Sequence, residues 1–464
     1  MSVPNTKTAF KPSLLQFLRR IHFYIGLFVA PFIFVAALSG TLYILSPQLE
    51  NYLYTDALTV QQQGTSRALS EQIDAARTYA GPESRIYAIR PAPGPTETTR
   101  VQFSDPTLGE SESRGVFVDP YTLDIKGDMT VYGTSGVLPL RMWIDKFHRN
   151  LLLGDLGRNY SELAASWLWI AALGGLLLWA GTRSRRGPPT AANRFMNTRR
   201  WHTTVGLVLF LGLLFVSVTG LTWSKWAGGN INSLRADLGW LTPQVNTTLS
   251  HHAEQMSHAA NGDPHAGHGA AAPGMTTVSA DWQRALSSAR QAGILAEKVE
   301  IRAPKAVGKA WTVTEVDRRW PTRVDAVAID PQDFSVVDRT RFEAFPLAAK
   351  LTRWGVDAHM GILFGLPNQL ILIAFGVGLC FMIGLGYRMW WIRKPVASAE
   401  SPVRTLVAAW LALAFWGRII SVIVAVALSI ALPVMGVSLS AFLVVDLVRW
   451  KRGQRSAALA LSST

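Results

Sequence analysis

The sequence predicts an integral membrane bundle of about six helices, built by tandem duplication, with two small α+β modules outside the membrane. Two observations support this class. Several apolar blocks are long enough to cross a hydrocarbon layer of ~30 Å as a helix of roughly 20 residues. The motif Arg19-Arg20-Ile21-His22 also returns 180 positions later as Arg199-Arg200-Trp201-His202.

A second set of matches lies 211 positions apart. It pairs Asp119-Pro120 with Asp330-Pro331, His148 with His359, and Gly154 with Gly365. This offset is 31 residues longer than the first, and the His- and Ala-rich stretch 246–276 has the same length. We therefore interpret that stretch as an insertion in the second copy. The chain is two copies of one unit, followed by a tail.

Hydrophobic residues make up 49% of the 464 residues and are concentrated in long runs. The first predicted span lies in 15–45 and the third in 199–224. The second and fourth lie in the ranges 141–182 and 353–392. Each of these ranges begins with a short segment that carries a histidine, and the span follows it. A further apolar region, 404–449, is long enough for a hairpin of two more spans.

The formal net charge of +14 comes largely from basic residues beside one set of span ends. One short connection contains six arginines and no acidic residue: Arg183, Arg185, Arg186, Arg194, Arg199 and Arg200. Because cytoplasmic loops carry such an excess, we predict that both termini are cytoplasmic and that loops 46–162 and 225–358 lie outside. The distribution argues against nucleic acid as a partner and favours membrane lipid. The first apolar run is long for a signal peptide, so we expect a retained anchor.

Each long loop predicts one helix followed by short strands. The first module, 55–135, has a predicted helix over Leu69–Ala80 and strands over 85–90, 100–103 and 115–118. The second module, 278–340, has a predicted helix over 280–292 and strands over 298–302, 310–315 and 324–329. Asp119-Pro120 and Asp330-Pro331 end the last strand of each module, where Asp and Pro favour a structural turn.

Four histidines lie at repeat-matched positions beside apolar segments: His22, His148, His202 and His359. A b-type haem with two protein ligands needs two imidazoles that face each other, and helices in a bundle can supply them. Topology places His22 and His202 toward the cytoplasm and the other two toward the outside. We therefore predict two bis-histidine haems, one on each pair. The alternative is that all four are interfacial histidines without a ligand.

Other cofactors are disfavoured. The only cysteine, Cys380, excludes iron–sulfur clusters and covalently attached haem on ligand count. No Gly-rich fingerprint follows a predicted strand, so no flavin or nicotinamide site is expected. The electrons would come from a quinol or a separate cytoplasmic donor, and the sequence does not choose between them. The sequence does not identify a catalytic residue and does not indicate the oligomeric state.

The insertion contains metal-ligating side chains in a polar, Ala- and Gly-rich background. Imidazole and thioether ligands suit copper, and imidazole alone suits zinc or nickel. We expect either weak metal binding or a solvated linker. The candidate ligands are His251, His252, Met256, His258, His265, His268 and Met275.

The repeated motifs resemble the PepSY-associated transmembrane family over about residues 15–450. The resemblance rests on the Arg-x-His-x3-Gly-Leu entry to spans one and three, the Ser39-Gly40 and Thr219-Gly220 exits, and the two modules that contain Asp-Pro. It implies PepSY-like periplasmic modules and a place in the inner membrane of Gram-negative bacteria. It also implies kinship with iron-regulated proteins that include ferrisiderophore reductases.

Together these features predict a haem-dependent oxidoreductase that passes electrons from the cytoplasmic side to a periplasmic ferric siderophore and releases Fe(II). The electron path is inferred from the histidines, and the siderophore is implied by the resemblance. One alternative is a reductase of cupric or other metal complexes that uses the His-rich loop. Two others are a non-redox siderophore or metal permease and a membrane-tethered binding module.

Overall fold

The computed structural model describes residues 12–182, 194–249, 277–393 and 405–462. The chain divides into two compact units. The helical unit comprises Met1–Leu42, Asp145–Gly239 and Leu370–Thr464, and the sheet unit comprises Tyr43–Ile144 and Trp240–Gln369.

The described residues form helices and strands that follow the predicted repeat. The first half contains α1 (Pro12–Tyr24), α2 (Ala30–Leu53), α3 (Thr55–Leu58), α4 (Leu69–Ala80), β1 (Arg85–Arg90), β2 (Thr99–Ser104), β3 (Glu112–Val118), β4 (Ile125–Tyr132), α5 (Pro139–Asn150) and α6 (Gly154–Thr182). The second half contains α7 (Arg194–Thr222), α8 (Trp226–Asp237), α9 (Ser279–Gln291), β5 (Val299–Arg302), β6 (Trp311–Glu315), β7 (Ala326–Ile329), β8 (Val336–Thr340), α10 (Leu347–His359) and α11 (Leu366–Ile392). The tail contains α12 (Leu406–Leu411), α13 (Phe415–Ala431) and α14 (Pro433–Ser462).

Five helices in the described ranges are long and apolar enough to cross a membrane. They are Pro12–Leu53, Gly154–Thr182, Arg194–Thr222, Leu366–Ile392 and Pro433–Arg455. The sixth predicted span corresponds to α13, which has only 17 residues and a length of about 25 Å. It ends just before Pro433, because proline lacks the N–H that would continue a helix and instead begins the next one. A helical protein with several membrane spans is confirmed, and the described ranges hold five candidate spans of full length where six were expected.

The helical unit is organised around α6. This helix packs against both α1 and α7, while α12 packs on α1 and α14 packs on α6. Asp446 of α14 is fully buried. It accepts hydrogen bonds from the Tyr24 hydroxyl and from the Val407 amide, the latter at 2.7 Å. The tail is thus held against the first repeat by polar as well as apolar contacts.

The sheet unit contains one eight-stranded antiparallel sheet, in the order β4-β3-β2-β1-β5-β6-β7-β8. The sequence predicted two separate modules, and this expectation requires correction. β1 pairs with β5, with Ala88 opposite Arg302 and Ile89 opposite Ile301. Helices α4 and α9 pack together on one face, over a single core that includes Ile73 and Trp282. Joining the first strands of the two copies removes two exposed sheet edges.

The local predictions in this unit are largely accurate. Helix α4 and strand β1 have the predicted bounds. The predicted turns are confirmed, because an Asp119 carboxylate oxygen accepts the Tyr121 amide and an Asp330 oxygen accepts the Gln332 amide, both at 2.8 Å. The outer strands β4 and β8 were missed, because their residues are mostly half-buried or exposed and carry no apolar run.

Candidate functional site

The structure brings together His22 of α1 and His202 of α7, the inner pair that the sequence proposed. Their ring centres lie 6.4 Å apart, and the ring planes are nearly perpendicular at 83°. Just after His22, the residues Ile25–Val29 form a π-helical segment between α1 and α2. Such segments are rare and are frequent at functional sites.

Hydrogen bonds to the backbone determine which imidazole nitrogen carries the proton. His22 Nδ1 lies 3.1 Å from the Ala171 carbonyl oxygen, and His202 Nδ1 lies 3.0 Å from that of Met382. Because a carbonyl oxygen only accepts, Nδ1 must be the protonated nitrogen in each ring. Nε2 is left unprotonated in both, which is the form that binds a metal. Ala171 and Met382 are themselves 211 positions apart, so both repeats use the same arrangement.

Two glycines on the facing spans make room for these rings. A Cβ atom added at Gly175 would lie 3.3 Å from His22 Cε1, and one added at Gly386 would lie 3.7 Å from His202 Cε1. Neither glycine was predicted from the sequence. They too are 211 positions apart, so the repeat itself marks both positions.

The inner pair fits a bis-imidazole metal. An imidazole nitrogen lies about 2 Å from the metal that it binds, and the ring centre lies roughly 1 Å beyond, so two axial ligands place their ring centres about 6 Å apart. The observed 6.4 Å agrees with this separation. Donor type, proton position and distance are therefore all suitable for a haem iron held by His22 and His202.

His148 has the same kind of arrangement. It lies in α5, with Nδ1 3.0 Å from the Ser39 hydroxyl oxygen. When Ser39 donates its proton to the Val35 carbonyl at 2.7 Å, its oxygen accepts from His148 Nδ1, and Nε2 is then free to bind a metal. A Cβ atom at Gly40 would lie 3.1 Å from His148 Cε1, so the Ser39-Gly40 motif supports the imidazole.

His359 is the last residue of α10, in the sheet unit. Because His148 belongs to the helical unit, their pairing stays a prediction. Asp357, two positions earlier, is fully buried and accepts hydrogen bonds from Arg318 Nε at 2.7 Å and Arg353 Nε at 3.1 Å. Burial and the neighbouring Arg318 lower the pKa of Arg353 to about 10, against the opposing effect of Asp357. These ion pairs anchor the end of α10.

The proposed loop ligands lie outside the described residues. They are His251, His252, Met256, His258, His265, His268 and Met275. In the described ranges no group of three or more His, Cys, Asp or Glu side chains could hold a metal ion. Any metal site in the insertion therefore stays a prediction from sequence.

The five apolar spans and the duplicated helical unit define a multi-pass membrane protein. A family model for the PepSY-associated TM region matches residues 19–393, which cover most of the chain and all four repeat-matched histidines. The chain belongs to this family, and the resemblance found in the sequence is confirmed. No curated protein matches the chain.

Proposed function

We propose that the protein is a di-haem membrane oxidoreductase that carries electrons across the inner membrane to a ferric siderophore. The observation that carries the proposal is the pair His22 and His202, 6.4 Å apart with both Nδ1 protons held by backbone carbonyls. The proposal places both termini in the cytoplasm and the PepSY-like halves of the sheet unit in the periplasm.

His22 and His202 would hold the inner haem, and His148 and His359 the outer one. Each haem would supply reversible one-electron chemistry at iron. The chain's own part would be to hold the imidazoles in place against the facing spans, two for each haem. Ligation by two histidines would disfavour oxygen binding at the iron. Two sites near opposite faces would divide a ~30 Å crossing into shorter steps.

A ferric siderophore is a suitable acceptor on chemical grounds. Catecholate, hydroxamate and carboxylate oxygens hold hard Fe(III) much better than Fe(II), so a single added electron weakens the complex. The support for this acceptor is membership in the PepSY-associated family. A cupric reductase would use the same spans together with the His-rich loop, and deletion of residues 249–276 would then abolish cupric but not ferric reduction.

The first test is a reduced-minus-oxidised absorption spectrum of the detergent-purified full chain, with haem quantified as the pyridine complex. We expect low-spin b-type bands and two haems per chain. His22→Ala or His202→Ala should leave about one haem per chain, because each bis-histidine site needs both ligands. His265→Ala in the insertion is the control and should retain two.

A colourless protein after expression with ample haem would contradict the proposal. So would full haem content in both His22→Ala and His202→Ala. A non-redox permease or binding module would keep its function in those two variants, which separates these alternatives from the reductase.

A further inference from the structure

A cavity of about 370 Å³ lies at the arginine-rich end of the helical unit, between α7 and α11. Its lining includes Arg194, Asn197, Thr198, Trp201, Phe381 and Arg388. Trp201 directly precedes His202 in the chain. Leu385, which also lines the cavity, directly precedes Gly386, the residue that packs against the His202 ring. The cavity and the His202 half of the candidate haem site are therefore formed by neighbouring residues of the same two helices.

The lining combines polar donors with apolar and aromatic surface. Asn197 offers an amide, and Arg194 and Arg388 offer two guanidinium groups. Within the described ranges neither guanidinium has an ion-pair partner. Trp201 is 62% exposed and Phe381 is 53% exposed, so aromatic surface is open to a ligand or to lipid. A pocket of this size, with a few polar groups among apolar ones, suits a small-molecule headgroup.

The polar residues of the cavity are present in one repeat only. The repeat offsets place Leu14, Phe17 and Leu18 at the positions of Arg194, Asn197 and Thr198, and Leu177 at the position of Arg388. The same offsets preserve the histidines, the paired arginines and the glycines of the candidate haem site. The features that hold a haem are therefore duplicated, whereas this cavity occurs once.

The tail explains why only one copy can be open. In the first repeat α12 and α14 pack on α1 and α6. There Trp167 Nε1 of α6 donates to the Ser438 hydroxyl of α14 at 2.9 Å. In the second repeat, Asn197 and Trp201 are exposed, whereas the matched positions of the first repeat, Phe17 and Ile21, are half-buried. The tail covers one of two equivalent faces and leaves the other accessible from lipid.

We propose that this cavity binds the headgroup of a membrane quinol, which is the electron donor. The inference rests on the proposed function. A quinol would enter from the lipid, stack its ring against Trp201 or Phe381, and place its two oxygens near Asn197 and the guanidinium groups. A phospholipid phosphate would also attract two arginines, but it would gain nothing from a position beside His202.

The redox step balances without a further reactant. One quinol loses two electrons and two protons and becomes the quinone. The two electrons match the two one-electron irons of the proposed function. Because arginine cannot accept a proton, both protons leave to water at the open end of the cavity.

The experiment uses the holoprotein in detergent, with decylubiquinol as donor and haem reduction followed by stopped flow. Arg388→Leu and Asn197→Phe introduce the residues of the first repeat. We expect at least one of them to slow quinol-driven reduction by about 10-fold or more, as expected for a lost hydrogen bond to a charged or polar group. Lys451→Leu, at an exposed position in α14, is the control and should react at the wild-type rate.

Two further measurements identify the cause of any change. Haem content and dithionite reduction should be normal in all variants. A wild-type protein without haem would contradict the proposed function itself, whereas haem loss confined to a cavity variant would assign that residue to the haem site and overturn its role in quinol binding. Calorimetric titration with decylubiquinone should show weaker binding in the slow variant. Wild-type rates in both cavity variants would overturn the proposal. So would competition by phosphatidylglycerol but not by decylubiquinone, which would assign the cavity to lipid.

Discussion

At the scale of single residues, the decisive feature is the proton on each histidine. His22 and His202 each contact a backbone carbonyl on another span, and His148 contacts a serine whose proton is already used. The His22 and His202 rings must therefore donate from Nδ1 and keep Nε2 free, and the His148 ring does the same when Ser39 donates to Val35. A carbonyl in a helix cannot be removed by a point substitution, but the glycines beside the rings can be changed.

Gly175→Val should disrupt the inner haem site. A Cβ atom at this position would already lie 3.3 Å from His22 Cε1, and the added methyl groups would push the imidazole away. We expect haem content to fall from two toward one per chain, measured as the pyridine complex. Gly384→Val is the matched control, because a Cβ atom at Gly384 has no heavy atom within 4 Å. Unchanged haem content in Gly175→Val would show that His22 does not use this position when loaded.

At the scale of elements, the carboxylate of Glu162 in the second span caps the N-terminus of α8. This helix was not predicted from the sequence. Glu162 of α6 is fully buried. Its carboxylate accepts the amides of Trp226 at 2.8 Å and Ala227 at 3.3 Å, which begin α8. A negative charge at a helix N-terminus is favourable, and these amides have no partner within their own helix.

Glu162→Ala should destabilise the helical unit by about 1–3 kcal/mol, because it leaves the buried Ala227 amide and the partly buried Trp226 amide without an acceptor. The measurement is the midpoint of thermal unfolding in detergent. Glu162→Gln keeps a carbonyl oxygen and should recover much of the loss. Glu71→Ala, at an exposed position in α4, controls for removal of a carboxylate. Equal midpoints for Glu162→Ala and Glu71→Ala would refute this account of α8.

The prediction of elements from sequence succeeded where a segment buries a regular pattern. Helix α4 and strand β1 each bury such a pattern, and the predicted bounds match the structure. Strands β4 and β8 lie at the two edges of the sheet and leave most residues partly exposed. Their pairing depends on a neighbouring strand rather than on their own composition, so sequence periodicity could not reveal them.

At the scale of the whole molecule, duplication joins the two copies through one sheet. Glu300 of β5 accepts Arg90 Nε of β1 at 2.7 Å and Arg302 Nε at 2.6 Å. This pairing connects the first strand of one copy to the first strand of the other. Burial by itself would raise the pKa of the Glu300 carboxyl. The charges of Arg90 and Arg302 outweigh burial and lower this pKa from 4.5 to about 2.

Stability of the sheet unit should therefore depend on pH. Because the pKa of Glu300 is lower in the folded protein, its contribution is complete above the ordinary value of 4.5 and is lost as pH falls through about 2. The shift corresponds to about 3 kcal/mol. Glu300→Gln should lower the thermal midpoint at pH 7, measured by near-ultraviolet circular dichroism of the full chain, and should flatten its decline in acid. An equally steep decline in the variant would assign the acid sensitivity to other carboxylates.

The sequence by itself determined the duplication, the four repeated spans and the identity of the candidate ligands. Apolar length and repeated motifs are properties of the chain and need no partner to be recognised. It could pair His22 with His202 because matched positions in duplicated spans fall at the same membrane depth.

Only the tertiary structure decided how these parts combine. The joined sheet, the carbonyls that orient the imidazoles, and the tail that covers one repeat all arise from contacts between segments far apart in the chain. Such contacts depend on backbone position and packing rather than on residue type, so a sequence pattern does not encode them locally. The two repeats differ in residue type at the positions of Arg194 and Arg388, and this difference can be seen in the sequence. That the two arginines line one cavity can be seen only in the tertiary structure.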